Sequence, residues 1–287
     1  MMTNKYLLLF TICLLGLAGC KESAQETGMK QLLSYKIVAY TQYYGNSKEL
    51  AVVLQYDEQN RVLSYKNDSI VWKYVYRTDG RIGVTGNYWK DDTEQFSGTV
   101  TLNSYGLPEV EDYCYVKVSY PEIPVPFSDK MEYTYNEKGS LITAYEVVEC
   151  GDYSYTLHLL FAYGDGSKNV TRMDSDYEGL GKKENLHYEF EYQDTRNPLD
   201  FYPETTMIIP MNAGIQFTGQ SGYRRDKLLD RIKVYDKEDV LLQVIECTYQ
   251  YDDSGKMTEC KLTKRNMGSD GKPTGEEEFF RYYDMKY

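Results

Sequence analysis

The side chains that most often catalyse reactions or bind metals are sparse in this 287-residue chain, or lie in the wrong pattern. The two histidines, His158 and His187, are far apart, and no Cys-x-x-Cys pair supplies zinc-ligand spacing. No Gly-x-Ser-x-Gly motif and no glycine-rich phosphate loop occurs. With 44 acidic residues, carboxylate pairs suited to glycoside hydrolysis arise by chance. The sequence therefore predicts no catalytic residue, no cofactor and no metal.

Three short motifs could still bind a partner or be modified. Segment 91–94 (Asp-Asp-Thr-Glu) offers oxygen ligands for calcium, although a solvated hairpin tip explains it more simply. Tyr88 and Trp89, beside that charged tip, could stack on a sugar or join an interface, whereas the surroundings of Trp72 favour a core position. Ser69 lies in an Asp-Ser-Ile triplet that resembles the O-glycosylation signal of some anaerobes.

The most specific chemistry belongs to a cysteine near the beginning of the chain. Lys5 precedes an apolar run over residues 6–18, which is shorter than the roughly 20 residues of a membrane-spanning helix and suits a signal peptide. The run ends in Leu17-Ala18-Gly19-Cys20, which resembles the bacterial lipobox. There the small residues fit the peptidase groove and the thiol takes up a diacylglyceryl group. We therefore expect residues 1–19 to be removed and Cys20 to be lipidated.

Polar residues follow the cysteine and predict a short tether over residues 20–30. Lys21 stands where inner-membrane lipoproteins commonly have Asp, so the resemblance implies the outer membrane and leaves the periplasmic or surface side open. The formal charge of −12 excludes a general attraction for nucleic acid or anionic lipid. We therefore expect the acyl chains on Cys20 to be the only contact with the bilayer.

The rest of the chain repeats a short phrase: apolar-x-Tyr, then Asp or Asn, two variable residues, Gly or Asn, a polar residue and an aliphatic one. Clear copies span 133–141 and 249–257, looser ones begin at Leu54, Tyr74 and Val234, and degenerate ones lie near 102–108, 163–170 and 192–199. The Asp or Asn can accept bonds from backbone amides, and the Gly supplies the positive φ that closes a hairpin loop. Consecutive hairpins predict one all-β domain over residues 31–287, an antiparallel meander.

The strand flanks alternate between apolar and charged residues with a period of two. One such face carries Leu186, Tyr188, Phe190 and Tyr192, and the opposite face carries His187, Glu189 and Glu191. A barrel inserted in a membrane shows lipid an apolar band, and a charge there costs about 2–4 kcal/mol near the midplane. Glu189, Glu191 and Glu246 therefore predict a soluble body.

A long open meander leaves two unpaired edges, which closure into a barrel removes. We therefore expect a closed or nearly closed barrel. About a dozen strands or more would make it too wide for strand side chains alone to fill. The apolar, non-alternating segment 206–217 is a candidate plug, and a loop or short helix over a sheet edge fits it equally well.

Four cysteines remain once Cys13 leaves with the leader and Cys20 is lipidated: Cys114, Cys150, Cys247 and Cys260. Both disulfides and buried thiols fit an envelope protein. In the last repeat, a three-residue loop places Cys247 and Cys260 on opposite faces, whereas a four-residue loop pairs them. The first register is favoured because it puts Tyr251 and Met257 together on one apolar face.

The lipobox, the Tyr-x-Tyr-Asp-x-x-Gly hairpins and Asn197-Pro198 with an irregular excursion over 199–226 together resemble a family of anaerobe lipoproteins of unknown function. The resemblance covers most of residues 30–287. It implies a porin-like fold and no particular activity.

The tether, the repeat scaffold and the lack of a catalytic motif favour a non-catalytic envelope lipoprotein that binds a glycan, a peptide or another envelope protein. A carbohydrate hydrolase with two carboxylates and a purely structural envelope component are the alternatives. A cleft with carboxyl groups about 5–10 Å apart, one of them strongly desolvated, would favour the hydrolase. An interior packed with tyrosine would argue against it.

Overall fold

The computed structural model describes residues 39–44, 50–59, 61–67, 70–88, 96–116, 127–164, 167–179, 181–196 and 226–287. These residues form sixteen strands: β1 (Ala39–Tyr44), β2 (Leu50–Tyr56), β3 (Val62–Lys66), β4 (Ile70–Tyr76), β5 (Arg81–Tyr88), β6 (Phe96–Leu102), β7 (Pro108–Tyr115), β8 (Phe127–Tyr135), β9 (Leu141–Cys150), β10 (Tyr153–Tyr163), β11 (Val170–Gly179), β12 (Lys182–Arg196), β13 (Lys227–Asp236), β14 (Leu241–Tyr251), β15 (Met257–Met267) and β16 (Pro273–Lys286). The described part of the chain contains no helix that is long and apolar enough to cross a membrane.

Each strand pairs antiparallel with its neighbours in sequence, and β1 also pairs with β16, so the sheet closes into a barrel. This confirms the predicted all-β meander and its closure. The predicted excursion over 199–226 falls almost wholly outside the described residues, and so does the plug candidate 206–217. Residues 1–38, with the predicted leader and tether, also lie outside them.

Alternate side chains of each strand face the barrel interior. In β4, Ile70, Trp72 and Tyr74 are buried, whereas Lys73 and Val75 are exposed. The inward residues of all the strands from β2 to β16 join in one apolar cluster. Trp72 belongs to it, which confirms its predicted core position.

The hairpin turns follow the predicted mechanism. The Asn136 side-chain Oδ1 accepts the backbone N–H of Lys138 at 3.0 Å and of Ser140 at 2.9 Å. Gly139 has a φ of +76°, in the left-handed region that glycine adopts without strain. The same pair of side-chain acceptor bonds recurs at Asn103, Asp236 and Asp252.

Six hairpins also contain a β-bulge one residue after the second strand begins. Tyr135 pairs with Leu141, but Thr134 pairs with Thr143, so Ile142 is an extra residue. The corresponding extra residues elsewhere are Leu63, Glu109, Thr171, Leu242 and Thr258. Each bulge shifts the register of the rest of its strand by one residue, which reverses the faces that simple alternation would assign.

The bulge corrects the register expected for the last repeat. Tyr251 pairs with Met257 as predicted, but beyond the bulge Tyr249 pairs with Cys260. Cys247 and Cys260 are therefore both buried, and the prediction of opposite faces is wrong. Tyr251 and Met257 share a face of the sheet as direct partners, although Tyr251, at the end of its strand, is 42% exposed and Met257 is buried. None of the four described cysteines forms a disulfide.

A ring of tyrosines joins the strands at one end of the barrel, the end at which β1 begins. We call this the proximal end and the opposite one the distal end. Each of these hydroxyls donates to a backbone carbonyl near the start of the preceding strand: Tyr76 to Val62 (3.1 Å), Tyr135 to Pro108 (2.7 Å), Tyr163 to Leu141 (2.8 Å), Tyr192 to Val170 (2.6 Å), Tyr249 to Leu229 (2.9 Å) and Tyr287 to Met257 (2.6 Å). These tyrosines thus supply apolar rings for the interior and donors for backbone carbonyls of the neighbouring strands.

The outer wall of β12–β16 carries a ladder of ion pairs. Glu191 contacts Arg231 and Lys233, Arg231 contacts Glu246 at 3.2 Å, Glu246 contacts Arg265, and Arg265 contacts Glu277 at 2.6 Å. Glu189 is exposed on the same face. The predicted outward direction of Glu189, Glu191 and Glu246 is therefore right. Such exposed pairs each contribute only about 0–1 kcal/mol to folding, so their main effect is a charged wall.

Candidate functional site

The most unusual chemistry among the described residues lies inside the barrel, on β7, β8 and β9. Glu111, Asp129 and Glu146 point inward, with exposed fractions of 0%, 3% and 2%. Met131 pairs with both glutamates, and Asp129 lies diagonal to each of them. Diagonal neighbours on one face of a sheet are about 7–8 Å apart, so three carboxyl groups share one patch of the inner wall. We call these three residues the carboxyl cluster.

Tyrosines surround the carboxyl cluster. Tyr113 pairs directly with Asp129 across β7 and β8. The Tyr133 hydroxyl lies 3.2 Å from Glu111 Oε1, to which it donates, and also contacts the sulfur of Met131. A neutral phenol can donate to a carboxyl oxygen, so the Tyr133 hydroxyl gives Glu111 Oε1 a hydrogen-bond partner inside the barrel.

The environment of Glu146 favours its protonated form. Burial, followed by the negative charges of Asp129 and Glu111, raises the pKa of Glu146 well above its usual value, although the hydroxyl of Tyr155 acts in the opposite direction. Glu146 Oε2 has no hydrogen-bond partner among the described residues. Two carboxylates close together in a dry interior repel each other, so a proton on one relieves the pair.

An aromatic wall continues the site toward β4. Trp72 packs on Phe96 with ring centroids 4.4 Å apart, and meets Tyr113 edge-on at 6.4 Å. Phe96 contacts Tyr115 at 5.3 Å, and Tyr115 stacks on Phe127 at 4.3 Å with the two planes within 7°. The indole Nε1 of Trp72 is buried and has no hydrogen-bond partner in the described part of the chain.

Glycine makes this close packing possible at two inward positions. A Cβ on Gly98 would lie 2.2 Å from Cδ1 of Tyr113, and one on Gly86 would lie 1.9 Å from Cζ of Phe96. The rings therefore lie flat against the backbone of the neighbouring strand. Any side chain at these two positions would displace the aromatic wall.

The arrangement can hold protons but does not present itself to a substrate. A glycoside hydrolase needs a desolvated acid beside a second carboxyl group, in a cleft that admits the substrate. Glu146, with its raised pKa and its carboxyl neighbours, meets the first of these requirements. In an open cleft the carboxyl groups would be accessible to solvent, but each residue of the carboxyl cluster is at most 3% exposed, and tyrosine rings surround the cluster. The geometry therefore favours a buried, tyrosine-packed interior over a hydrolytic site.

The residues singled out from the sequence are not gathered in this site. Cys20 with Leu17, Ala18 and Gly19, Ser69, Trp89 and segment 91–94 lie outside the described residues, and Tyr88 ends β5 at the distal end. The described residues contain no group of three or more His, Cys, Asp or Glu placed to hold a metal ion.

The carboxyl cluster was not identified from the sequence, but a signal for it exists. Asp129 lies on the same alternating face of β8 as the buried Met131 and Tyr133. Glu111 lies on the same face of β7 as the buried Tyr113. The sequence pattern that indicates the carboxyl cluster is a carboxylate on the otherwise apolar face of each of several consecutive strands.

No protein-family model and no curated protein matches the sequence. Two solved structures resemble the chain in fold. One is a porin-like protein from Bacteroides uniformis ATCC 8492, with a TM-score of 0.60, 13% identity, and coverage of 86% of this chain and 95% of that one. The other is a porin-like protein from Bacteroides vulgatus ATCC 8482, with a TM-score of 0.56, 13% identity, and coverage of 87% and 98%. At this identity the likeness is one of fold alone: the chain is an antiparallel β-barrel similar to porin-like proteins.

Proposed function

We propose that the protein is a cell-envelope lipoprotein, held to a membrane by lipid on Cys20, whose barrel is a non-catalytic binding module. The observation that carries the proposal is the charged outer wall of β12–β16 around an apolar interior. A wall of this kind is costly in a hydrocarbon layer and stable in water. The barrel therefore needs a separate attachment, which the lipobox supplies. The likeness to porin-like proteins supports an envelope location, for which we favour the outer membrane.

Binding is favoured over catalysis because Glu146, the candidate proton donor of the interior, is sealed from solvent. A glycan, a peptide or another envelope protein is the proposed ligand class. Tyr88 and Trp89 are the proposed contact residues, since β5 ends at the distal end and an aromatic pair there could stack on a sugar or anchor a peptide.

The intact mass of the protein purified from native membranes tests the anchor. We expect a mature chain that begins at Cys20 and carries a diacylglyceryl group and an amide-linked acyl chain such as palmitate. A chain cleaved elsewhere, or one without added lipid, would contradict the proposal. The same spectrum shows whether Ser69 carries a glycan.

Glycan and peptide arrays probed with the detergent-solubilised full-length protein test the binding role. A double variant Tyr88→Ala, Trp89→Ala should lose at least about tenfold in affinity for any ligand found, as for an aromatic anchor. Tyr145→Ala, on the exposed outer wall of β9, is the matched control. Hydrolysis of an arrayed glycan by the wild-type protein would instead support the carbohydrate-hydrolase alternative.

A further inference from the structure

We propose that the outer wall of β2–β6 is a docking surface for an anionic polysaccharide. The proposal deepens the binding role proposed above and rests on it, because it names the class of ligand and the part of the barrel that meets it. We call this surface, the outward side chains of β2–β6 together with Arg77, the basic wall. All of its residues belong to the described part of the chain.

The acidic side chains of the barrel are absent from this one wall. The strands β2–β6 contain no Asp or Glu, whereas every strand from β7 to β16 except β10 contains at least one. The proximal turns that border the wall hold Asp57 and Asp79, which accept hydrogen bonds from Arg61 and Arg81, and the exposed Glu58. Within a chain of formal charge −12, the outer face of β2–β6 is therefore the part that an anion can approach.

Three basic side chains form a diagonal row on the basic wall. Lys66 and Lys73 are exposed on neighbouring strands, and Lys73 pairs with Ser64, so the two lysines are diagonal neighbours about 7–8 Å apart. Gly83, a diagonal neighbour of Lys73 on β5, leaves room for the guanidinium of Arg77, whose Nη2 would lie 3.2 Å from a Cβ there. None of these three cations takes part in the ion pairs of the described residues, in contrast to the ladder on β12–β16.

The middle of the basic wall offers a row of hydrogen-bonding groups. Ser64, Lys73, Thr85 and Ser97 lie side by side on β3, β4, β5 and β6 as direct cross-strand partners. Neighbouring strands are about 4.8 Å apart, so a hydroxyl or ammonium group recurs at that interval across the wall. Sugars present closely spaced hydroxyl groups to such a row, and the carboxylate or sulfate groups of an anionic polysaccharide can pair with the cations beside it.

The residue types of the basic wall favour a polysaccharide over a protein partner. Protein interfaces draw most of their binding energy from Trp, Tyr and Arg anchors, and Leu, Ser, Thr and Val are under-represented among them. The outward positions of β2–β6 hold mainly Val, Ser and Thr, and no outward side chain described there is aromatic. Salt screens exposed charges beyond about 8 Å, so the carboxylates of the opposite walls act only weakly on a polymer bound here.

Four soluble polymers test the proposal with the detergent-solubilised full-length protein. Polygalacturonate carries carboxylates, dextran sulfate carries sulfates, dextran is its neutral counterpart, and poly-glutamate represents an acidic peptide. The double variant Lys66→Gln, Lys73→Gln removes two cations from the basic wall. The matched control Lys138→Gln, Lys182→Gln removes two exposed lysines outside it, and so makes the same change in net charge. Calorimetry measures the affinities at low and at physiological salt, and urea unfolding checks that each variant is folded.

We expect at least one of the two anionic polysaccharides to bind, more weakly as salt is added, and dextran not to bind. The affinity should fall at least about fivefold in Lys66→Gln, Lys73→Gln and less than about twofold in the control. Which of the two polymers binds tells whether the wall prefers carboxylates or sulfates.

An equal loss of affinity in the two double variants would overturn the assignment of the basic wall, since net charge alone would then explain the binding. Poly-glutamate that binds as tightly as the polysaccharides would identify an acidic peptide as the ligand instead. If neither anionic polysaccharide binds, the proposed docking surface is wrong, and a ligand found on the arrays would still leave the binding role intact. The absence of any ligand on the arrays would contradict the binding role as well.

Discussion

Glu146 is a side chain whose charge depends on the fold. It lies on β9 with Asp129 and Glu111 as acidic neighbours, and the closed sheet keeps water from all three. The folded protein therefore holds a proton on Glu146 at a pH where the unfolded chain has lost it. This difference in proton affinity makes stability depend on pH.

Replacing Glu146 by Gln should make the stability of the protein less sensitive to rising pH. A carboxyl whose pKa is raised by folding contributes stability that is complete below the unfolded pKa, near 4.3, and is lost as pH rises through the folded pKa. The loss is at most about 1.4 kcal/mol per pH unit. In urea unfolding, Glu146→Gln should therefore gain stability relative to the wild type as the pH rises above the unfolded pKa.

Glu149→Gln is the control for that measurement, because Glu149 lies on the same strand and is exposed. Its pH profile should follow the wild type. Parallel profiles of wild type and Glu146→Gln over the whole range would show that Glu146 does not carry the pH dependence.

Gly98 should tolerate no side chain. In Gly98→Ala the added methyl group would meet the ring of Tyr113 and the carbonyl oxygen of Asp112, 2.7 Å away. Overpacking of this kind costs about 1–3 kcal/mol in the free energy of unfolding. Ser97→Ala, at the exposed neighbouring position, should change it by less than about 0.5 kcal/mol. Equal effects of the two substitutions in urea unfolding would contradict the proposed close approach.

At the scale of the element, the hairpin repeat is the part of the fold that its sequence predicts best. Asn136 and Gly139 stand at fixed positions in the phrase, and the structure shows the bonds and the positive φ that those residue types imply. The bulges could not be predicted, because an extra residue such as Ile142 has no distinctive side chain. The wrong face predicted for Cys260 follows directly from the extra residue Thr258 in β15.

Asn136→Ala should weaken its hairpin, since the side chain satisfies the backbone N–H groups of Lys138 and Ser140. We expect a loss of about 1–2 kcal/mol in the free energy of unfolding, measured by urea denaturation. Asn136→Asp keeps the acceptor and should stay within about 0.5 kcal/mol of the wild type. A similar loss in both variants would mean that the acceptor oxygen does not stabilise the turn.

Tyr135→Phe should uncouple neighbouring hairpins at the proximal end, because it removes the hydroxyl that donates to the Pro108 carbonyl and keeps the ring. The expected loss is about 0.5–1.5 kcal/mol, with faster amide exchange at the β7–β8 edge of the proximal end. Tyr145→Phe, on the exposed wall, should change neither quantity. An unchanged exchange rate in Tyr135→Phe would show that the hydroxyl is not part of the ring's stability.

At the scale of the whole molecule, the sequence predicts more about architecture than about the site. Alternation and repeated turns point to a closed antiparallel barrel, and the outward charges Glu189 and Glu246 lie where they were expected. The carboxyl cluster forms only because closure and register bring Glu111, Asp129 and Glu146 together from three strands. The local signal, a carboxylate on the apolar face of its strand, marks such residues singly, but it does not tell which of the 44 acidic residues meet across strands.

The charged outer wall of β12–β16 and the packed interior favour the proposed description of the barrel as a body suited to water. Under the proposed lipidation, its attachment to a membrane depends on one atom, the sulfur of Cys20. Mature protein with an intact lipid should sediment with membranes and be released by detergent, whereas the barrel alone should not bind them.

The Cys20→Ser variant tests this account most directly. Produced in cells and fractionated by ultracentrifugation, it should remain folded, as shown by an urea transition like that of the wild type, and should appear in the soluble fraction. The wild type should be found with the membranes. A folded Cys20→Ser protein that still sediments with membranes would contradict the description of the barrel as a soluble body held by a single lipid anchor.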